Sequence, residues 1–227
     1  IGMNSNTLLN IDAIASRGIR AGAYPGCQIV VMKDGKIVYD KCFGTHSYQD
    51  KTKVRPTDMF DLESVTMTTA TLLAVMKLYD EGKLKLTDKA SQYVSFMRNG
   101  WKKNITIKDL LLHESGLPPY IRFYLNAIDP NSVHGPYAQS WKDEWHRTQV
   151  SDHSYFCSDF KFQKGLIANK PTSVYSLNMA EDMWLNKNFK NTVLQNIAKC
   201  ELDSKRYIYS SVGFIVLQQV VEAITKM

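Results

Sequence analysis

Apolar positions first recur at helical spacing. Leu8, Ile11, Ile14, Ala15 and Ile19 predict an opening helix capped at Asn6 or Thr7 and loosened by Gly18 and Gly22. Beyond Pro25-Gly26 the pattern changes to two β-rich runs, 27–32 and 36–43, joined by Asp34-Gly35. That dipeptide between such runs is a strong hairpin signal. Met59, Phe60 and Leu62 read as a strand end, after which Ala70, Leu72, Leu73, Ala74, Val75, Met76, Leu78 and Tyr79 leave almost no polar face. This predicts a helix over 65–81 of about five turns, buried nearly all round. Thr106 with Asp109 three residues on carries a capping signature for a helix that runs to Gly116 and stops before Pro118-Pro119. From Tyr120 to about Thr172 no period is sustained, which predicts a long irregular excursion over a cleft. Helices are expected over 176–185 and 189–199, then a last amphipathic one carrying Val212, Ile215, Val216, Val220, Val221 and Ile224.

Composition narrows the class. At 227 residues and 44% hydrophobic content the chain is long enough for one domain with a large core. No run approaches the roughly 18 apolar residues of a membrane span. The net charge is +6, but lysines are scattered among acids and no basic run is interleaved with aromatics, which argues against nucleic acid as a partner. Cys27, Cys42, Cys157 and Cys200 form no C-x-x-C pair and read as small hydrophobes, with Cys27 and Cys42 on the two strands of one hairpin. His146 and His153 are separated by seven positions, and no H-x-x-x-H spacing occurs. Neither a metal centre nor a cofactor is expected.

Candidate chemistry begins at Ser64, at the head of the central helix, where backbone N–H groups converge and the dipole favours negative charge. Serine is also a good N-cap with no catalytic role. What singles it out is its company: Tyr39 and Gly44 before it, Glu81-Gly82-Lys83-Leu84 after it, and Ile105 to Pro118 with the run Leu111-Leu112-His113-Glu114-Ser115-Gly116-Leu117. Together these phrases resemble the serine β-lactamase and penicillin-binding-protein family, most closely its class C β-lactamase, esterase and D-aminopeptidase branch. The resemblance covers most of residues 7–118 and 205–225.

The resemblance implies an α+β fold, an antiparallel sheet flanked by helices plus a helical subdomain, as one β-lactamase-like domain over 1–227. Residues 7–62 would start the α/β part. Residues 63–206 would supply the central helix, helical subdomain and cleft excursion, with 90–93 as a short surface segment, and 207–227 the second motif and its helix. The remaining strands of that fold would follow Met227, supplied by further C-terminal sequence or a partner.

Three motifs carry the family's chemistry. The first is Ser-x-x-Lys, which sets a nucleophile and an amine one turn apart on one helix face. Here it reads Ser64-Val65-Thr66-Met67, with methionine at the lysine position. The second is Tyr-x-Asn, matched by Tyr209-Ser210-Ser211 with serine in place of asparagine. The third, a Lys-Thr-Gly or His-x-Gly strand, has no match after Tyr209, and Lys164-Gly165 lies before it without the threonine. Ser64 and Tyr209 are thus the implied catalytic residues, with Met67 at the lysine position. Ser211 and Tyr120 are candidates for substrate binding, and His113 reads as a helix-ending residue beside the cleft.

A tyrosine with no cation beside it has a pKa of about 10, so roughly a thousandth is phenolate at neutral pH. Loss of one oxyanion donor costs on the order of a hundredfold to a thousandfold in turnover. Two functions from different classes follow. One is an acyl-enzyme serine hydrolase acting on a β-lactam, a D-amino-acid peptide or an ester, slowed by Met67 and the unmatched third motif. The other is a non-catalytic relative that binds cell-wall peptide or a partner domain. The resemblance implies a periplasmic or extracytoplasmic location.

Overall fold

The computed structural model describes residues 2–227, which divide into two compact units, 1–60 with 129–161 and 61–128 with 162–227. In the first unit Asn4 opens α1 (Ser5–Leu8), its side chain accepting the Asn6 N–H at 2.9 Å, and α2 (Asn10–Arg20) follows. The cap therefore lies two to three residues before the expected one. The hairpin forms as expected from β1 (Gly26–Lys33) and β2 (Lys36–Gly44), paired antiparallel. Its turn holds Asp34 at φ 50° and Gly35 at φ 72°, the two left-handed residues that a tight hairpin needs.

One carboxylate fastens α2 to this hairpin. Asp12 accepts from the Tyr39 hydroxyl at 2.6 Å and from the Lys41 ammonium at 2.7 Å. The Lys41 bond, with that of Tyr39, holds the Asp12 pKa below the usual carboxylate value, while burial and the same contact push the Tyr39 phenol up to about 12. Within 129–161 a small sheet runs in the order β3 (Ala138–Gln139), β5 (Ser154–Phe156), β4 (Thr148–Ser151).

Beside that sheet His146 is buried at 2% exposure, with Nδ1 2.9 Å from Asp143 Oδ1 and Nε2 2.6 Å from the Pro136 carbonyl. Both partners are acceptors, so both ring nitrogens must donate and the ring is an imidazolium. Its bond to Pro136 and its pairing with Asp143 raise its pKa above the ordinary 6.5. Asp143, which also takes the N–H groups of His146 and Trp145, stays well below the usual carboxylate range.

The second unit is built round α7 (Ser211–Thr225), in which Val212, Val216, Leu217 and Val220 are fully buried. Against it pack α5 (Ile107–Leu111), α4 (Ala90–Tyr93), α6 (Phe189–Lys199) and α3 (Leu73–Asp80), the last preceded by a π-helical stretch, Met67–Leu72. The α5 capping box is complete: Thr106 Oγ1 accepts the Asp109 N–H at 3.1 Å, and Asp109 Oδ2 accepts the Thr106 N–H at 2.9 Å.

Three expectations are corrected here. The chain leaves α5 after Leu111, about one turn early, because His113 and Gly116 take left-handed φ of 57° and 76°. The 90–93 segment exposes Gln92 and buries Ala90 completely. The helix expected over 176–185 is a hairpin, β7 (Tyr175–Ala180) and β8 (Met183–Asn186), joined by β6 (Ile167–Ala168) in the order β6-β8-β7. Asp182 at φ 53° makes the turn there, and Leu177 and Met179 alternate with polar residues as strand positions do. Finally, α3 buries only Val75 and Leu78; Leu73, Met76 and Tyr79 are each more than half exposed, beside an apolar groove of about 560 Å³ that Leu86 and Leu111 also line. By contrast α7 buries Val212, Gly213, Phe214, Val216, Leu217, Gln219 and Val220, since its neighbours close round it on several sides.

Leu217→Ala should cost about 2–5 kcal/mol in urea unfolding, the range for a fully buried leucine. His146 predicts an opposite-signed pH effect to a carboxylate. Its native pKa is raised, so its contribution is fully present below about pH 6.5 and is lost as pH climbs through the native value. Urea titrations across that range should show stability falling with pH more steeply than in His146→Gln, and equal slopes would contradict the imidazolium.

Candidate active site

Ser64 stands where the chain enters the second unit's first helix, and its carbonyl accepts the Met67 N–H at 3.0 Å to begin the helical ladder. Asp61 shapes the approach by accepting the Glu63 N–H at 2.9 Å, and Glu63 takes a left-handed φ of 44°. That turn folds the Glu63 carboxylate back onto Ser64, where it accepts both the backbone N–H and the Oγ–H. The charged contact of the serine is therefore an anion. Downstream the Thr68 and Thr69 hydroxyls both return to the Val65 carbonyl at 2.9 Å. Such back-bonding competes with the helical ladder, which accounts for the widened π turn over Met67–Leu72.

Met67, at the end of the first turn, points its sulfur at Tyr209, with Sδ 3.6 Å from the phenol oxygen. A thioether is only a weak acceptor and carries no charge. Tyr209 is held from the other side by the run that follows α5. The N–H of Ile208 donates to the His113 carbonyl at 2.9 Å, and the N–H of Ser210 donates to His113 Nδ1 at 3.0 Å. The His113 ring lies 4.7 Å from the Tyr209 ring, centroid to centroid, and also meets Phe214 at 5.3 Å and Tyr207 at 6.1 Å. Burial lowers the His113 pKa below 6.5, so at neutral pH the ring is the neutral acceptor this bond requires.

The two serines after Tyr209 anchor α7. Ser210 accepts the Gly213 N–H as N-cap and donates its hydroxyl to the Pro118 carbonyl at 2.7 Å. Ser211 gives both its N–H and its hydroxyl to the Pro119 carbonyl, at 2.9 and 2.8 Å. The Ser211 proton is thereby committed within the chain, leaving its oxygen as an acceptor only. Tyr120, the other candidate for substrate binding, is exposed beside the guanidinium of Arg122. The structure thus brings Met67, Tyr209 and His113 together and sets Ser64 on the same helix as Met67. Lys164 is on a turn at Gly165, φ 78°. Glu63 was not among the residues expected from sequence; its only local signal was its place next to the serine. Among the described residues no cluster of three or more His, Cys, Asp or Glu side chains could hold a metal ion.

Ser64 heads the helix whose Met67 meets Tyr209, and Tyr209 in turn precedes the buried helix α7. The Beta-lactamase family profile matches residues 11–154 of this chain. The chain belongs to the serine β-lactamase and penicillin-binding-protein-like family, with its mixed fold of helices and antiparallel sheets. Among curated relatives, Protein flp of Staphylococcus aureus (strain MW2) is 31% identical over 187 residues, which is 81% of this chain and 37% of the relative. Among solved structures, the octameric penicillin-binding protein homologue from Pyrococcus abyssi superposes with a TM-score of 0.61 at 19% identity, covering 97% of this chain and 40% of the other. A class C beta lactamase gives 0.57 at 16% identity, covering 99% and 46%. At these identities the structural likeness speaks for the fold alone, and the chain spans less than half the length of each of the three.

The turn that carries His113 toward Tyr209 depends on Gly116, where an added Cβ would lie 2.4 Å from the Asp203 carbonyl oxygen and φ is 76°. Gly116→Ala should cost at least about 1–3 kcal/mol in denaturant unfolding. A neutral outcome would mean that the turn is not built as described.

Proposed function

We propose that this chain carries its family's serine acyl-transfer site and that turnover there is slow. Ser64 Oγ would add to the carbonyl carbon of a β-lactam, a D-amino-acid peptide or a small ester, with its proton passing to an acceptor in the site. The leaving group would depart with that proton, and water would then hydrolyse the acyl-serine. The single observation behind the slow turnover is the 3.6 Å contact of the Met67 sulfur with the Tyr209 hydroxyl. A lysine at position 67 would set an ammonium there, favouring phenolate and so a proton acceptor. The thioether does neither. Tyr120 and Ser211 are the residues we assign to substrate contact, with the Ser211 oxygen offering an acceptor to a substrate amide. Cell-wall peptide as substrate would put the protein outside the cytoplasm. Among the described residues no helix is long and apolar enough to cross a membrane.

A second reading is a binding relative with no turnover. The Glu63 carboxylate supports it, because it occupies the Ser64 N–H and would oppose negative charge developing on a substrate oxygen beside it.

Incubation with a fluorescent penicillin or a fluorophosphonate, read by intact mass, separates the two. The acyl-transfer reading expects a slow adduct on the wild-type chain that Ser64→Ala abolishes. It also expects Met67→Lys to speed acylation by about a hundredfold or more, the scale of one restored proton-transfer group. No adduct in either the wild type or Met67→Lys at saturating probe would establish the binding reading.

A further inference from the structure

The two backbone N–H groups that flank Tyr209 both end on one residue. Ile208 donates to the His113 main-chain oxygen at 2.9 Å and Ser210 to His113 Nδ1 at 3.0 Å, while the imidazole packs 4.7 Å from the phenol ring. We propose that His113 is the positioning residue for Tyr209, that its neutral ring fixes the phenol against position 67, and that protonation of Nδ1 releases it. This rests on the reading of Tyr209 as a working member of the acyl-transfer site.

Three features make the clamp specific to histidine rather than to any residue ending a helix. First, position 113 has φ 57°, a region disfavoured for most side chains but tolerated by His, Asn and Asp. A helix end needing only this conformation would be served by glycine, which offers no acceptor. Second, the bond runs from a backbone N–H into the ring, so Nδ1 must hold a lone pair and the proton must sit on Nε2. An imidazolium cannot accept that bond. Third, the ring's surroundings are short of groups that would stabilise the cation. Tyr207 and Tyr209, on the run leading to α7, are the titratable groups whose rings meet it, and Phe214 on α7 closes the next side. Glu114, its neighbour on the same turn, is exposed. Burial accordingly lowers the His113 pKa from 6.5.

The sign follows from that direction. The clamp is complete above about pH 6.5 and opens as pH falls through the lower native value, when the Ser210 N–H loses its acceptor. Only one of the two backbone ties is lost, so the response is a shift of the phenol and not an unfolding of α7. Asparagine suits as a test, since it accepts left-handed φ and its Oδ1 can take the Ser210 N–H, yet it does not titrate.

Two readouts on the full chain decide the matter. The first needs no turnover: ring resonances of isotope-labelled tyrosine, with Tyr209→Phe identifying Tyr209, followed with pH in the wild type, His113→Asn and His113→Leu. In the wild type the Tyr209 signal should move with a midpoint below 6.5, the same as that of the His113 ring. In His113→Asn it should stay near the wild-type neutral position at all pH, and in His113→Leu it should be displaced throughout. The second is the rate of Ser64 labelling by fluorophosphonate. It should fall roughly tenfold to a hundredfold more on acidification in the wild type than in His113→Asn.

A Tyr209 signal that ignores the His113 titration overturns the proposal, as does a His113→Asn variant that behaves like His113→Leu. Labelling of Ser64 with identical pH profiles in wild type and His113→Asn overturns its catalytic relevance while leaving acyl transfer intact. A pH-coupled Tyr209 signal with no labelling in any variant, Met67→Lys included, instead defeats the acyl-transfer reading and leaves the clamp standing.

Discussion

The burial of α7 is the constraint on which the second unit depends. Its interior-facing residues include Val212, Val216, Leu217 and Val220, all fully buried, with Phe214 nearly so. A helix closed in to this degree leaves its terminal N–H groups without water, so its start has to be supplied with acceptors from the protein. Ser210 provides one as N-cap and is itself bound to the Pro118 carbonyl, while Ser211 is bound to that of Pro119. Core and candidate site are in this sense one construction: securing the α7 N-terminus also fixes Tyr209, which immediately precedes the cap.

The same arrangement holds the shape of the candidate site with no charge at position 67. Tyr209 is held by main-chain bonds and ring packing from His113, none of which requires a cation at position 67. A methionine can occupy that position because a flexible, polarisable thioether packs against an aromatic ring without needing a partner for a charge. Ser64 has a carboxylate neighbour through the left-handed backbone of Glu63. Position 67 is neutral and the charge next to Ser64 is negative.

Local rules made much of the fold legible. Asp34-Gly35 predicts its hairpin because few dipeptides tolerate two left-handed residues, and Thr106 with Asp109 predicts the start of α5 because their two bonds are reciprocal and only three residues apart. The last two helices could be read from their period, as could the family from its runs of residues around Ser64 and Tyr209. Over 176–185 the apolar residues fit both a helical and an alternating period, and the turn at Asp182 together with pairing to β6 decided for strands. His146 looked like one of several histidines in an unpatterned stretch; its two acceptors, Asp143 and Pro136, come together only when the chain between them folds back.

What the sequence alone determined is therefore what acts within a few residues: caps, the tight turn, helical period and the runs of residues that mark the family. The tertiary structure decided which helix is enclosed, since α3 and α7 are both apolar and burial depends on what packs against them. It also decided the electrical character of the site. The left-handed turn that lays Glu63 on Ser64, and the two hydrogen bonds that join His113 to the backbone on either side of Tyr209, depend on backbone directions and on partners up to 97 positions away. Such contacts have no periodicity in one dimension, because they are set by where the packed elements bring the chain back together.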